Sequence, residues 1–238
     1  MTALDSQPST LNSQLRALAL RTVEIDYLHG HRHLPSSLSA LPIIAEIYAE
    51  MTDRDVFILS KGHACAAHYA VLEHHGYRPD VSKVHPERDP ANGIHMTAGS
   101  LGHGYPTAVG LALAKKFQHS GSVEPKPGIP WGGGTGYVGR VHVLLGDGEC
   151  QEGTNFEAAH LAARWDLSRW LTVHVDCNGW QGSDTIRSCA ARQLGQIFPV
   201  KYHLTKKGYG VRMFEQHPEK STHTVTAEDY AAIMAELS

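Results

Sequence analysis

The sequence predicts an α/β fold in which a parallel β-sheet is flanked by helices. Two short segments dominated by apolar residues, 141–145 and 171–175, are typical of buried parallel strands. A helical pattern over 152–165 separates them, so strand, helix and strand form a βαβ unit. Each strand runs directly into a polar turn that contains glycine. Because ligands of such sheets bind beyond the carboxyl ends of the strands, the two turns mark a predicted site.

The remaining pattern extends this unit into one domain over residues 11–238. Residues 1–10 are predicted to be a flexible N-terminus, and the Gly- and Pro-rich segment 121–139 is predicted to be a surface insert. A strand is predicted at 56–59 and a last strand at 209–214. Helices are predicted over 11–28, 36–51, 64–75, 106–117 and 226–237.

The composition excludes several classes of function. A chain of 238 residues with 42% hydrophobic residues suffices for one domain with a real core. Its net charge of −3 gives no sign of a nucleic-acid partner, and no apolar run approaches the roughly 18 residues that a membrane span needs. No secretory signal pattern is visible, so we expect a cytoplasmic protein. The four cysteines form no CxxC pair, which argues against zinc and dithiol redox motifs.

The two polar turns carry the residue types of a metal–diphosphate site. GDGE at 146–149 follows the first strand, and Asn178 follows the second. The Asp147 carboxylate, the Asn178 amide oxygen and a loop carbonyl would form a hard oxygen set that suits Mg²⁺ or Ca²⁺, with a diphosphate as the remaining ligand. Gly146 and Gly148 allow the backbone to approach a phosphate closely. GDGE alone also fits a plain turn between strand and helix, but the asparagine after the next strand favours a ligand site.

Five ordered motifs resemble the N-terminal section of transketolases. LLGDGECQEGTNFEAAHLAA at 144–163, followed by VDCNGWQ at 175–181, is similar to the thiamine-diphosphate motif of that family. The other four motifs are HLPSSLS at 33–39, LSKGHA at 59–64, TAGSLGHG at 97–104 and TKKGYGV at 205–211. The resemblance covers roughly residues 11–238.

The resemblance implies a thiamine-diphosphate-binding domain of the pyrophosphate type. It stops at the N-terminal section, so the pyrimidine-binding domain would belong to a separate chain, in a split bacterial transketolase with an expected α2β2 assembly. The implied activity is transfer of a two-carbon ketol unit from a ketose or ketose phosphate to an aldehyde acceptor. We expect no nucleic-acid or membrane partner.

The same resemblance implies roles for individual residues. Asp147, Asn178 and the backbone carbonyl of Trp180 would bind the metal. The catalytic group would comprise His33, His63 and His85, with Glu152 at the interface with the partner. The cofactor-binding residues implied are His63, Gly99, Leu101, Gly146, Gly148, Glu149, Asn178 and His223.

Several histidines compete for these roles, since the chain holds 17 of them. His29 and His31 are alternatives to His33, and His95 and His103 are expected to lie near the site. His85 follows Val84, where the family has glycine, and the stretch around His223 lacks the usual glycine.

Two departures from the family pattern concern the insert at 119–139, which is long, and the stretch after Gln181, which is short. One strand–helix unit of the family is expected to be missing there, which leaves the completeness of the sheet, the dimer geometry and the acceptor site open.

Two other functions remain open at this point. The first is the α subunit of a 2-oxo acid dehydrogenase-like complex, or an acyloin-forming enzyme of a specific pathway. The second is a non-catalytic scaffold subunit that kept the fold. SKGHA at 60–64 and GSLGHG at 99–104 favour the transketolase side.

Overall fold

A computed structural model describes residues 11–120, 138–179, 189–217 and 224–238. Within these residues four strands form one sheet: β1 (Val56–Leu59), β2 (Val141–Gly146), β3 (Leu171–Cys177) and β4 (Val200–Leu204). The strands are all parallel and lie in the order β1-β2-β3-β4. The predicted α/β fold with a parallel sheet is thereby confirmed.

Helices cover both faces of this sheet. The first face, reached by Phe57, Leu59 and Leu144, packs on the N-terminal helices and the C-terminal one. The second face, reached by Val143 and Val173 among others, packs on the helix that precedes β2 and on the helices that follow β2 and β3. The helices are α1 (Ser13–His29), α2 (Leu34–Glu50), α3 (Cys65–His74), α4 (Gly104–His119), α5 (Gly153–Arg164), α6 (Cys189–Ile197), α7 (Arg212–Gln216) and α8 (Ala227–Leu237).

Local sequence explains where the terminal helices begin. The Asn12 side chain accepts a hydrogen bond from the Leu15 amide at 2.8 Å and caps α1. Thr226 and Asp229 form a reciprocal capping box at the start of α8. Each cap satisfies backbone N–H groups that a helix start otherwise leaves without partners.

The last strand lies elsewhere than the sequence predicted. Residues 209–214 do not form a strand: the chain turns there, with a positive φ of 80° at Gly208, and α7 follows. The last described strand is β4, which begins nine residues before the predicted one, and α6 leads into it. In β4, Lys201 and His203 interrupt the apolar pattern, because the strand is at the edge of the described sheet and only partly buried.

Parts of the predicted architecture fall outside the described residues. Residues 1–10 and most of the insert, 121–137, belong to these parts. After β3 the described chain resumes with α6, and β4 then pairs directly with β3. None of the described helices has the combination of length and apolar character that crossing a bilayer requires.

A stack of three histidines crosses the sheet face that α2 covers. The ring centroids of His142 and His174 are 5.5 Å apart, and those of His174 and His203 are 5.2 Å apart. The rings also share hydrogen bonds, between Nδ1 of His142 and Nε2 of His174 over 3.2 Å and between Nδ1 of His174 and Nε2 of His203 over 2.9 Å. Burial lowers the pKa of all three imidazoles.

Counting protons sets a limit on the charge of this histidine stack. Three neutral rings carry three protons on their nitrogens: one in each of the two nitrogen–nitrogen contacts and one at one end of the stack. One further proton fits on the nitrogen at the other end. A second would place two protons in one contact and break it, so the intact stack carries at most one positive charge.

We predict that the stack makes folding less favourable in mild acid. A histidine whose pKa is lowered in the folded protein stays neutral while the unfolded chain takes up protons below pH 6.5, so stability falls as the pH falls. Each such histidine contributes a loss of about 1.4 kcal/mol between pH 7.5 and 5.5. Denaturant unfolding should therefore show that the free energy of unfolding falls less between pH 7.5 and 5.5 in His174→Leu than in the wild type, by about 1 kcal/mol.

The same change at exposed His160 (His160→Leu) serves as the control and should leave the pH dependence unchanged. Identical pH dependence in His174→Leu and the wild type would contradict the assignment of a neutral stack.

Candidate functional site

A cleft opens beyond the carboxyl ends of β2 and β3, where the sequence placed the site. Its lining comes from the two polar turns, from the start of α2, from the turn after β1, from the loop before α4 and from the segment after β4. The lining residues are Ser36, Lys61, His63, Leu101, Gly146, Asp147, Gly148, Glu149, Asn178 and Lys207.

Asp147 lines the cleft, and one of its carboxylate oxygens has no partner among the described residues. Its Oδ1 accepts a hydrogen bond from the Gly148 amide at 2.8 Å. Its Oδ2 is buried and has no hydrogen-bond partner among the described residues. Burial raises the pKa of this carboxyl group. A buried carboxylate oxygen that lacks a donor is the kind of group that a cation satisfies.

Asn178 lies in the same cleft and is 9% exposed. Its Nδ2 donates to Ser39 Oγ and to Asp176 Oδ2, both at 3.3 Å. Its backbone oxygen accepts the amide N–H of Lys207 at 3.2 Å. The amide nitrogen therefore faces the protein interior. Asp147 and Asn178 meet in one cleft, as predicted from their positions after adjacent strands.

Two lysines bring positive charge to the cleft, and reasoning from the sequence assigned a role to neither. Lys61 is completely buried and forms an ion pair with Asp176. Lys207 reaches the cleft from the segment after β4; burial and the neighbouring Lys61 lower its pKa to about 8. Both lysines lie in motifs that the sequence analysis identified, SKGHA at 60–64 and TKKGYGV at 205–211. In each motif a lysine precedes a glycine, and this feature could have marked the two lysines as site residues.

Glu149 faces inward and fixes the loops around the cleft. One carboxylate oxygen accepts from the Ser60 hydroxyl and from the Gly102 amide, the latter at 2.9 Å. The other accepts from the Gly146 amide at 3.2 Å. The structure therefore gives this predicted cofactor ligand hydrogen-bond partners within the protein.

The loop 99–104 packs against the start of α5. Gly102 has a φ of 80°, and a Cβ atom there would lie 2.5 Å from Thr154 Oγ1 and 2.7 Å from Glu152 Cβ. No other residue type fits this contact without a shift. Glu152 itself is the N-cap residue of α5 and is exposed beside the cleft loops. Leu101 is 43% exposed while lining the cleft.

Three of the predicted histidines lie near one another, and one of them, His63, lines the cleft. The ring centroids of His33 and His63 are 5.5 Å apart. A Cβ atom at Gly99 would lie 3.4 Å from the His85 ring, so His85 packs on the loop 99–104. Burial and the nearby Lys61 lower the pKa of His63 to about 3, and burial followed by His85 lowers the pKa of His33. His63 is therefore neutral at physiological pH.

The competing histidines have other surroundings. His31 Nε2 bonds to the Val81 carbonyl at 2.9 Å and its Nδ1 contacts the Cys65 thiol, so its ring is held in the core. His29 lies beside it, 6.1 Å between ring centroids. His103 is the N-cap residue of α4. Trp180 and His223 lie outside the described residues, so their predicted roles have no structural description.

The arrangement suits an anionic ligand held together with a divalent cation. Asp147 and Asn178 are oxygen-bearing side chains of the type that hard cations prefer. Two lysines and the backbone amides of the GDGE turn supply the positive potential that phosphate groups need. The neutral imidazole of His63 lines the same cleft, where it would meet the ligand or a substrate.

Comparison with known proteins agrees with this chemistry. The family model described as "Transketolase, thiamine diphosphate binding domain" matches residues 11–183. The protein named Ferredoxin fas2 from Rhodococcoides fascians is 37% identical over 169 residues, which cover 62% of this chain and 50% of that protein. One subunit of an apulose-4-phosphate transketolase, from Actinobacillus succinogenes, is 32% identical over 163 residues, which cover 60% of this chain and 53% of that protein.

A solved structure, transketolase from Leishmania mexicana, has the same fold with a TM-score of 0.69. It is 23% identical, and the match covers 96% of this chain and 42% of that one. The chain thus matches about half the length of the curated relatives named above. Because the family model extends over most of the chain and the cleft lies within the matched residues and the segment after β4, this protein belongs to the transketolase family through its thiamine-diphosphate-binding domain.

Proposed function

We propose that this chain is the subunit of a split transketolase that holds the diphosphate of thiamine diphosphate. With its partner it would move a two-carbon ketol unit from a ketose or ketose phosphate to an aldehyde. The observation that carries the proposal is the buried Asp147 Oδ2, which has no described donor and belongs to a residue that lines the same cleft as Asn178. The matching family model describes a thiamine diphosphate binding domain, so thiamine diphosphate is the cofactor that we propose for this cleft.

The described residues fit a metal-bound diphosphate. Asp147 and Asn178, with the backbone carbonyl of Trp180, would bind Mg²⁺ or Ca²⁺. Lys207 and the backbone of Gly148 would face the phosphate groups, since both line the cleft beside Asp147. Glu149 would act indirectly by holding the loops that carry Gly146 and Gly102. Gly99 and Leu101 would then flank the cofactor on the side of that loop.

The histidines beside the cleft would hydrogen-bond the substrate. Thiamine diphosphate, when bound, supplies the carbon nucleophile and the electron sink of ketol transfer. His63 is neutral at physiological pH, so one ring nitrogen donates a hydrogen bond and the other accepts one from a substrate hydroxyl. His33 lies against it and His85 packs on the adjoining loop, so all three would line the substrate channel.

A second chain would complete the site. The relative from Actinobacillus succinogenes is by name one subunit of a larger enzyme, and the match spans about half of it. Leu101 is exposed at the cleft and Glu152 is exposed beside it, so both would face the pyrimidine-binding chain. We expect an α2β2 assembly in the cytoplasm. The retained Asp147, Asn178 and His63 argue against a purely structural role.

We expect turnover only when both chains are present. The full chain should be co-expressed with a partner chain that carries a transketolase-like pyrimidine-binding domain, and the complex should be assayed with thiamine diphosphate and Mg²⁺. Xylulose 5-phosphate and hydroxypyruvate serve as ketol donors, and an added aldehyde accepts the two-carbon unit. The complex should release glyceraldehyde 3-phosphate or carbon dioxide, while each chain alone should not. A complex that retains the cofactor yet turns over neither these nor other ketol donors would reject the ketol transfer and leave the fold assignment intact.

Asp147→Ala should abolish retention of the cofactor by that complex. Loss of a direct metal ligand should weaken Mg²⁺-dependent binding of thiamine diphosphate by more than about 100-fold, since even residues behind the ligands contribute 10- to 100-fold. Isothermal titration with and without Mg²⁺ measures the effect. Asp53→Ala, at an exposed aspartate, is the control. Undiminished retention by Asp147→Ala would overturn the metal assignment.

Lys207→Met should weaken binding of thiamine diphosphate by roughly 10- to 100-fold, the size of one lost hydrogen bond to a charged group. Binding of thiamine without its diphosphate should be unchanged. Lys206→Met is the matched control, because Lys206 is adjacent but exposed. Equal effects of the two variants on the cofactor would contradict a phosphate contact for Lys207.

A further inference from the structure

Asp176 is a buried carboxylate at the end of β3 that does not line the cleft. Its Oδ2 accepts from the Ser39 hydroxyl at 2.7 Å, from Asn178 Nδ2 at 3.3 Å and from the Lys61 ammonium group. Its Oδ1 accepts from the Thr205 hydroxyl. The carboxylate therefore accepts hydrogen bonds on both oxygens and forms an ion pair with Lys61.

These donors come from the segments that form the walls of the cleft. Ser39 lies one turn along α2 from Ser36, and Thr205 precedes Lys207 by two residues. Lys61 and Asn178 line the cleft themselves. One carboxylate therefore links the start of α2, the turn after β1, the turn after β3 and the segment after β4. Nothing in the assigned roles uses this group.

The hydrogen bonds also determine which way the Asn178 amide points. An amide nitrogen only donates, and an amide oxygen only accepts. Asp176 forms an ion pair with Lys61 and accepts on both oxygens. The Ser39 hydroxyl donates its single proton to that carboxylate or to the Ser36 carbonyl. Both acceptors bind Nδ2 of Asn178, so a flipped amide would place its oxygen against a carboxylate and a hydroxyl oxygen. The amide oxygen is thereby directed away from Asp176.

We propose that Asp176 and Ser39 are positioning residues that fix the Asn178 amide with its oxygen toward the cation. The inference rests on the proposed function, in which Asn178 is a metal ligand. Ser39 is the sensitive member of the pair, because its hydroxyl contacts both Asp176 and Asn178. Thr205 contacts the other oxygen of the same carboxylate and is not bonded to the Asn178 side chain.

Ser39→Ala and Thr205→Val test this difference, since each deletes one hydroxyl from Asp176. The affinity for Mn²⁺, which reports on a Mg²⁺ site, should be measured by electron paramagnetic resonance. The sample is the complex with the partner chain and saturating thiamine diphosphate. Ser39→Ala should raise the dissociation constant of Mn²⁺ about tenfold, as residues behind a metal ligand do. Thr205→Val should change it less than about twofold.

A double-variant cycle separates orientation from general weakening. In an Asn178→Ala background no amide remains to be oriented, so adding Ser39→Ala should leave the Mn²⁺ affinity of that background unchanged. An equal loss in Ser39→Ala and Thr205→Val, or a full effect of Ser39→Ala without Asn178, would overturn the positioning role. A wild-type complex that binds no cation would instead overturn the proposed function, and the positioning role with it.

A metal-free measurement decides the question if Ser39→Ala proves less stable than Thr205→Val. The side-chain amide protons of Asn178 in the wild-type chain should exchange with solvent more slowly than those of Asn12, an exposed residue at the start of α1, because two acceptors hold them. Exchange at the rate of Asn12 would overturn the proposed orientation.

Discussion

The buried ion pair between Lys61 and Asp176 organises the carboxyl end of the sheet. Both side chains are fully excluded from solvent, so each charge would be costly without the other and without further hydrogen bonds. Ser39 and Thr205 supply those bonds to the carboxylate, and the Ser36 carbonyl lies 3.4 Å from the ammonium group. The pair therefore requires α2, the turn after β1 and the segment after β4 to close over β3. That closure forms the walls of the cleft.

Much of the fold and the centre of the site follow from local patterns in the sequence. The buried strands β2 and β3 were predicted from two short segments dominated by apolar residues. Because adjacent parallel strands end at one edge of a sheet, the turns that follow them predicted that Asp147 and Asn178 lie close together. β4 escaped prediction because an edge strand is only partly buried and its residues alternate imperfectly. Lys207 and the inward orientation of Glu149 depend on contacts between segments far apart in sequence, which no local pattern encodes.

The distribution of charge in the cleft is consistent with a divided enzyme. Asp147, Glu149 and Lys61 are buried where a metal and phosphate groups would be held, whereas Leu101 in the same cleft is exposed. The family model covers these four residues, and curated relatives extend to about twice the matched length. In the proposed assembly, this chain supplies the anchor and the second chain covers the reactive end.

The carboxylate of Glu149 has a consequence for ligand affinity. It joins the Ser60 hydroxyl, the Gly102 amide and the Gly146 amide, so three separate turns are ordered by one buried group. The conformational entropy of fixing those turns is lost when the chain folds and not when a ligand arrives. The three turns that Glu149 joins are therefore ordered before the ligand binds. Less of the interaction energy is spent on ordering them during binding, so more of it contributes to affinity.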